Sequence, residues 1–202
     1  ILIDDDSFKM LLPNWNIDIT KLNNAEKENI RSLALIKILY KYGGILVEPS
    51  FISFKSLKPI YENIMTTNKP SVGEFKNETT GSHMMNFSPS LKFLGCVKNC
   101  NIIHQLEQHL EIISSKDTTS NSILEGQITN WLYNKAQQQE INYINGQYLG
   151  TRDSKNKEIQ IQDLLGSSYL DLNSQTYGLY IPHKQLLTRH TYNWFVYLNT
   201  HQ

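Results

Sequence analysis

The order of apolar and polar positions predicts one element above all others, a helix from about Asn23 to Tyr42. Ile30, Leu33, Ala34, Leu35, Ile38, Leu39 and Tyr42 cover more than one helical stripe, while Lys27, Arg31 and Lys41 leave only a narrow wet face. A helix this apolar must be packed on most sides, so it is central. Asn23 is placed to cap it, and Glu26, three residues on, is the matching capping-box partner. Gly43-Gly44 ends it, because glycine takes the left-handed cap conformation without steric cost. Ile45-Leu46-Val47 then predicts a buried strand, which Glu48-Pro49-Ser50 interrupts. Phe51, Ile52 and Phe54 resume in extended style, and Lys58-Pro59 closes the unit.

Upstream, Ile1-Leu2-Ile3 reads as a buried strand delivering Asp4-Asp5-Asp6 to a sheet edge, with a loop at Pro13-Asn14. Strand, helix, glycine turn and strand make a βαβ unit whose expected pairing is parallel. A polar triplet at the carboxyl end of the second strand lies where open α/β sheets bind ligands. Downstream, Asn77 to Ser90 is polar and reads as a loop with a short strand at His83 to Phe87. A helix over about 101–114 follows from Ile102, Ile103, Leu106, Leu110 and Ile113, and another carries Leu124, Ile128, Trp131 and Leu132. Residues 141–149 read as a hairpin around Asn145-Gly146. Arg152 to Lys157 is a polar turn, and Ile159 and Ile161 alternate like an edge strand. The predicted class is α/β, a mixed and mainly parallel sheet flanked by helices, in one domain over residues 1–202.

Composition removes several function classes. Nineteen basic and nineteen acidic side chains give zero formal charge, and no Lys or Arg run suggests a nucleic-acid footprint. No apolar stretch approaches the roughly 20 residues of a bilayer span. Two cysteines, Cys96 and Cys100, are too few for a secreted disulfide scaffold, which favours a cytoplasmic setting, host cytoplasm or virion included. Without a Cys or His pair nearby they do not predict zinc. Ile1 in place of a starting Met predicts that an N-terminal segment is missing.

The segment from Ile30 to Pro59 carries one specific signature. Leu39-Tyr40-Lys41-Tyr42-Gly43-Gly44, then Ile45-Leu46-Val47, a polar triplet and Lys58-Pro59, resemble the sugar-binding segment of GT-A glycosyltransferases of the capsular-polysaccharide and α-1,6-mannosyl type. It is similar as well to degenerate versions of that segment in large DNA viruses. The resemblance implies a GT-A fold, a nucleotide-sugar donor and a glycan or protein acceptor. It also implies Mn2+ or Mg2+, which an Asp-x-Asp pair holds against the donor diphosphate.

The sequence departs from that pattern where charge matters most. Glu48, Pro49 and Ser50 stand at the Asp-x-Asp positions, keeping one carboxylate and replacing the other by a hydroxyl. Ser32 and Leu35 occupy the places of a nucleotide-holding Asp and Arg, with Arg31 one helical turn from the latter. The resemblance assigns donor binding to Asp5, Arg31, Glu48 and Ser50, and metal ligation to Glu48 and His190. Weaker echoes, Glu125-Gly126 and Arg189 to Trp194, place Glu125 and Trp194 on the acceptor side. Several have a plainer reading: Glu48 as an exposed carboxylate on a turn, Asp4 to Asp6 as a solvated turn, His190 as a surface histidine, Trp131 and Trp194 as core aromatics. His104 and His109, five apart, do not share a helical face. Two functions follow as expectations: a hexosyl-type transferase with a reduced site, or a non-catalytic GT-A-like structural or interaction protein, such as a viral particle component.

Overall fold

A computed structural model describes residues 1–15, 17–77, 87–115, 121–167, 169–182 and 185, with backbone only at 121–123. The chain divides into two compact units, Ile1–Val47 with Lys58–Ile144, and Glu48–Leu57 with Asn145–Gln202.

The first unit is organised by helix α2 (Asn24–Tyr42). Its start follows the sequence: the Asn23 side chain accepts from Glu26 N and the Glu26 carboxylate from Asn23 N, both at 2.9 Å. Leu33, Ile36 and Leu39 face the main core, and Ala34 and Ile38 face a second one. Positions two apart on a helix lie about 200° around its axis, so one element buries two opposite flanks. The second core is closed by α1 (Asp5–Leu11) and the short 3-10 turn Ile19–Lys21, through Phe8, Leu12 and Ile19.

Here the first expectation fails. Ile1-Leu2-Ile3 is not a strand, and Ile1 and Leu2 are exposed. Asp4 instead caps α1: its Oδ1 accepts from Ser7 N at 2.9 Å, and Ser7 Oγ accepts from Asp4 N at 3.2 Å. Asp5 and Asp6 follow in the first turn, where the helix dipole favours negative charge. Asp-x-x-Ser is thus a helix start, and no parallel βαβ unit forms.

The sheet of the first unit is mixed, in the order β1 (Gly44–Val47), β4 (Phe87–Cys96), β3 (Ser71–Lys76), β5 (Asn142–Ile144). β1–β4 and β3–β4 are antiparallel and only β3–β5 is parallel, so the sheet is not mainly parallel. β1 lies at an edge and is half-buried rather than enclosed. Leu94 and Cys96 join the main core with α4 (Asn101–Ser114) and α5 (Asn121–Gln137). Gly95 points the other way, where an added Cβ would meet Ile64 of α3 (Lys58–Thr67) at 2.6 Å. Helices therefore cover both faces. Lys58-Pro59 opens α3 instead of closing the unit, since a first-turn proline lacks only an amide the helix would not use.

In the second unit β2 (Phe51–Ser53) pairs antiparallel with β6 (Gly178–Tyr180). The expected hairpin at Asn145-Gly146 is absent. β5 pairs with β3, and Asn145, at φ −59°, accepts from Gln147 N at 2.8 Å to cap α6 (Gly146–Leu149). Ile159 and Ile161 are both buried but not in an edge strand. The Asp163 carboxylate accepts from Gln160 N at 2.8 Å and starts α7 (Ile161–Leu165). The turn predicted over 152–157 is present, wound around Asp153 Oδ1, which accepts from Lys155 N and Lys157 N. The strand expected over 83–87 lies mostly outside the described residues; β4 begins at Phe87. Among the described residues no helix is long and apolar enough to cross a membrane.

Gly43 joins α2 to β1 at φ 70°, ψ −171°, a conformation essentially reserved for glycine. A Cβ there would stand 2.6 Å from Lys98 N, which is backbone and cannot swing aside. Gly44, at φ 112°, has no atom within 4 Å of that position. Gly43→Ala is therefore expected to cost about 2–4 kcal/mol, strain plus clash. Gly44→Ala should carry the strain alone, and denaturant melts of the two variants check the ranking.

Candidate functional site

The triplet after β1 is held by backbone before its side chains are considered. Phe51 N donates to Glu48 O at 3.0 Å, closing a four-residue turn with Pro49 at its second position, where a fixed φ suits it. Ser50 O accepts from Ile181 N at 2.9 Å, anchoring the turn beside β6. Glu48 and Ser50 thus project from a fixed backbone at i and i+2, both in the second unit.

Their outer atoms are unusual. Glu48 Oε2 and Ser50 Oγ are both removed from solvent, and neither has a hydrogen-bond partner among the described residues. A buried polar atom left unpaired costs about 1–3 kcal/mol, more when charged. Native folds tolerate few such atoms, and those present call for an ion, a water or a ligand group as partner. Hard oxygen donors of this type suit Mg2+ or Mn2+. The pair fits the cation that the resemblance implies, on the condition that most of the coordination comes from elsewhere. Among the described residues no group of three or more His, Cys, Asp and Glu gathers to hold a metal. His190 and Trp194 lie outside the described residues.

Asp5 and Arg31 are brought together, but with each other. Arg31 Nε and Nη2 donate to the two Asp5 carboxylate oxygens at 2.8 and 2.6 Å, a bidentate pair between α1 and α2. The hydrogen bonds from Arg31 hold the Asp5 carboxyl below its ordinary value, and Asp5 raises the guanidinium in turn. An open cavity of about 420 Å³ beside them is lined by Asp4, Asp5, Asp6, Arg31 and Leu35 with Ile3 and Phe8. Neither Glu48 nor Ser50 lines it. The four donor-side residues therefore form two separate pairs, one in each unit, and in the first the charges already satisfy each other.

Glu125 is half-buried on α5 in the first unit. Trp131, on the same helix, packs against the main core and stacks on His109 with ring centres 6.1 Å apart. His104 stacks on Tyr40 at 5.0 Å. Sequence reasoning passed over Glu74, an acid buried to 6 % exposure in β3 whose Oε1 accepts from the Tyr143 hydroxyl at 3.0 Å. The one available signal was an acidic residue set between Val72 and Phe75.

No family model, no curated protein and no solved structure matches the chain.

The Asp5–Arg31 pair is about 44 % exposed on both sides, so solvent screens it. Arg31→Gln is expected to lower stability by less than about 1 kcal/mol. The pair's contribution is complete above the ordinary Asp value of 3.8 and is lost as pH falls through the lower folded value. Urea melts of wild type and variant at neutral and strongly acid pH should converge at the acid end.

Proposed function

We propose that the chain is a GT-A-like glycosyltransferase with a reduced donor site, binding a nucleotide-sugar at the Glu48-Pro49-Ser50 turn. The observation that carries this reading is the pair of buried, unpartnered oxygens at i and i+2 of a fixed turn. Glu48 Oε2 and Ser50 Oγ would hold Mn2+ or Mg2+, with donor phosphate oxygens supplying most of the remaining ligands. When bound, such an ion offsets the charge that develops on a departing nucleoside diphosphate. The protein's own part is placement. Pro49 and the Phe51 N–Glu48 O bond fix the backbone from which the two side chains project. The acceptor is a glycan or a protein side chain.

A second reading, a non-catalytic interaction protein on the same framework, draws on a different observation. Arg31, the one cation that the sequence put near the donor, is spent on Asp5. Arg31 could meet a diphosphate only by leaving that pair.

The two readings separate in a thermal-shift series with UDP- and GDP-sugars, with and without manganese. The transferase reading expects a Tm rise that requires both metal and donor. It expects that rise to vanish in Glu48→Gln and to weaken in Ser50→Ala, with the unliganded Tm of either variant no lower than wild type, since the replaced atoms lack partners. A wild type indifferent to every donor with manganese present would sink the transferase and leave the interaction protein.

A further inference from the structure

The second core of the first unit, between α1, α2 and the 3-10 turn at Ile19–Lys21, does not close completely. A cavity of about 190 Å³ remains beside it, walled by Phe8, Trp15, Ile17 and Ile19. The Phe8 and Trp15 rings meet edge to face, with centres 6.4 Å apart and planes at 74°. For scale, an apolar cavity of about 150 Å³ holds a benzene ring. The space therefore takes one six-membered ring with a short substituent. It reaches the surface, because Asp6, Lys9 and Asp18 at its border are exposed.

Five charged side chains line the cavity, Asp5, Asp6, Lys9, Asp18 and Lys27, and the fold itself occupies two of them. Asp5 is taken by Arg31. Asp18 accepts from Thr20 Oγ1 at 2.6 Å and lies 3.2 Å from Lys21 Nζ. Among the described residues, Asp6 and Lys9 make no side-chain hydrogen bond or ion pair. Lys27 closes no ion pair either, and acts on Asp5 only through its field. One carboxylate and two ammonium groups are thus left over beside an aromatic wall. Small-molecule sites have this composition, an apolar body with a few convergent polar groups. A purely anionic ligand would meet Asp6 as a like charge, and a purely cationic one would meet both lysines. A ligand that carries both signs next to one ring matches all three.

We propose that this cavity binds a free aromatic amino acid as its zwitterion. The ring sits against Phe8 and Trp15, where aromatic faces and edges offer favourable stacking. The ammonium goes to Asp6 and the carboxylate to Lys27, with Lys9 adding its charge, in charge-assisted contacts. An aromatic residue at a peptide end keeps only one of those two charges, so the free amino acid is the better match. The site lies wholly in the first unit and does not depend on the donor turn. A bound ligand ties α1 and the 3-10 turn to the first turn of α2, and raises Tm by mass action.

The test is a calorimetric titration of the full chain, without metal or nucleotide-sugar. The probes are L-phenylalanine, L-tryptophan, L-alanine, phenylalaninamide (no carboxylate) and 3-phenylpropionate (no ammonium). Expected is saturable binding of phenylalanine or tryptophan, at least about tenfold weaker binding of each one-charge probe, and none of alanine. Asp6→Asn should weaken phenylalanine and leave 3-phenylpropionate unchanged; Lys27→Gln should weaken phenylalanine and leave phenylalaninamide unchanged. That crossed pattern is one that general damage to the fold does not produce. The unliganded Tm of both variants should stay near the wild type's, since neither side chain has an ion pair to lose. Absence of saturable binding by both aromatic amino acids would overturn the proposal. So would phenylalaninamide binding as tightly as phenylalanine, which identifies a peptide amino terminus as the ligand, or 3-phenylpropionate doing so, which identifies a simple aromatic acid. The wild-type series decides even where a variant fails to fold.

Discussion

The rest of the first unit depends on helix α2 burying two opposite flanks. Leu33, Ile36 and Leu39 complete the core shared with β3, β4, α4 and α5, while Ala34 and Ile38 complete the core shared with α1. Each fully buried Leu or Ile contributes about 1.5–3 kcal/mol relative to exposure, so neither core is closed without this helix. Between the flanks Lys37 fastens α2 to α4, with Glu107 and Glu111 oxygens both at 2.6 Å from its Nζ. Burial opposes the charge on Lys37, but the two carboxylates outweigh it and keep its pKa above the ordinary lysine value. Removing that cation would leave Glu107 half-hidden beside another acid, the kind of broken pair that destabilises more than the intact pair stabilises.

A helix held on both sides cannot shift to accommodate its own exit, and this explains the demand on Gly43. The chain must turn at once into β1, against the backbone of residues 96–98 that follows β4. Only a residue without Cβ passes there. Pairing β1 to β4 in the antiparallel sense follows from the same geometry: Gly44 stands opposite Cys96, so the strand leaves the joint running back along β4. No strand precedes α2 to receive β1 in parallel, which is why the expected βαβ unit does not appear.

What was legible in the sequence is what local chemistry decides. The capping box of Asn23 and Glu26, the double stripe of α2 and its glycine stop lie within about twenty residues of one another, and all three are present. The helix over Asn101–Ser114 was legible for the same reason. Misreadings arose where two local codes compete or where a partner is distant. Asp4-Asp5-Asp6 serves a strand end or a helix start equally, and Ser7 decided it. Asn145-Gly146 is a hairpin signal only if the next segment returns as a strand, and here Asn145 caps a helix instead. β3 escaped notice because Gly73 and Glu74 interrupt its apolar run, although it is an inner strand buried on both faces. At the candidate site, the residues were legible and their partners were not. Asp5 and Arg31 are 26 residues apart, and nothing local to either announces their ion pair.

The two pairs of candidate donor residues differ in how far the fold accounts for them. Asp5 and Arg31 satisfy each other with two short hydrogen bonds, so the fold accounts for both. Glu48 Oε2 and Ser50 Oγ are removed from solvent and have no hydrogen-bond partner among the described residues. If packing were their only duty, an apolar side chain at 48 would fill the space without leaving a carboxylate oxygen dry and unpaired. A hydrogen-bond donor or a cation would supply the partner that either atom lacks. The turn's backbone is held on both sides of Pro49, Glu48 O by Phe51 N and Ser50 O by Ile181 N. The fold thus accounts for the satisfied pair, while the unsatisfied pair is the observation on which the proposed donor site rests.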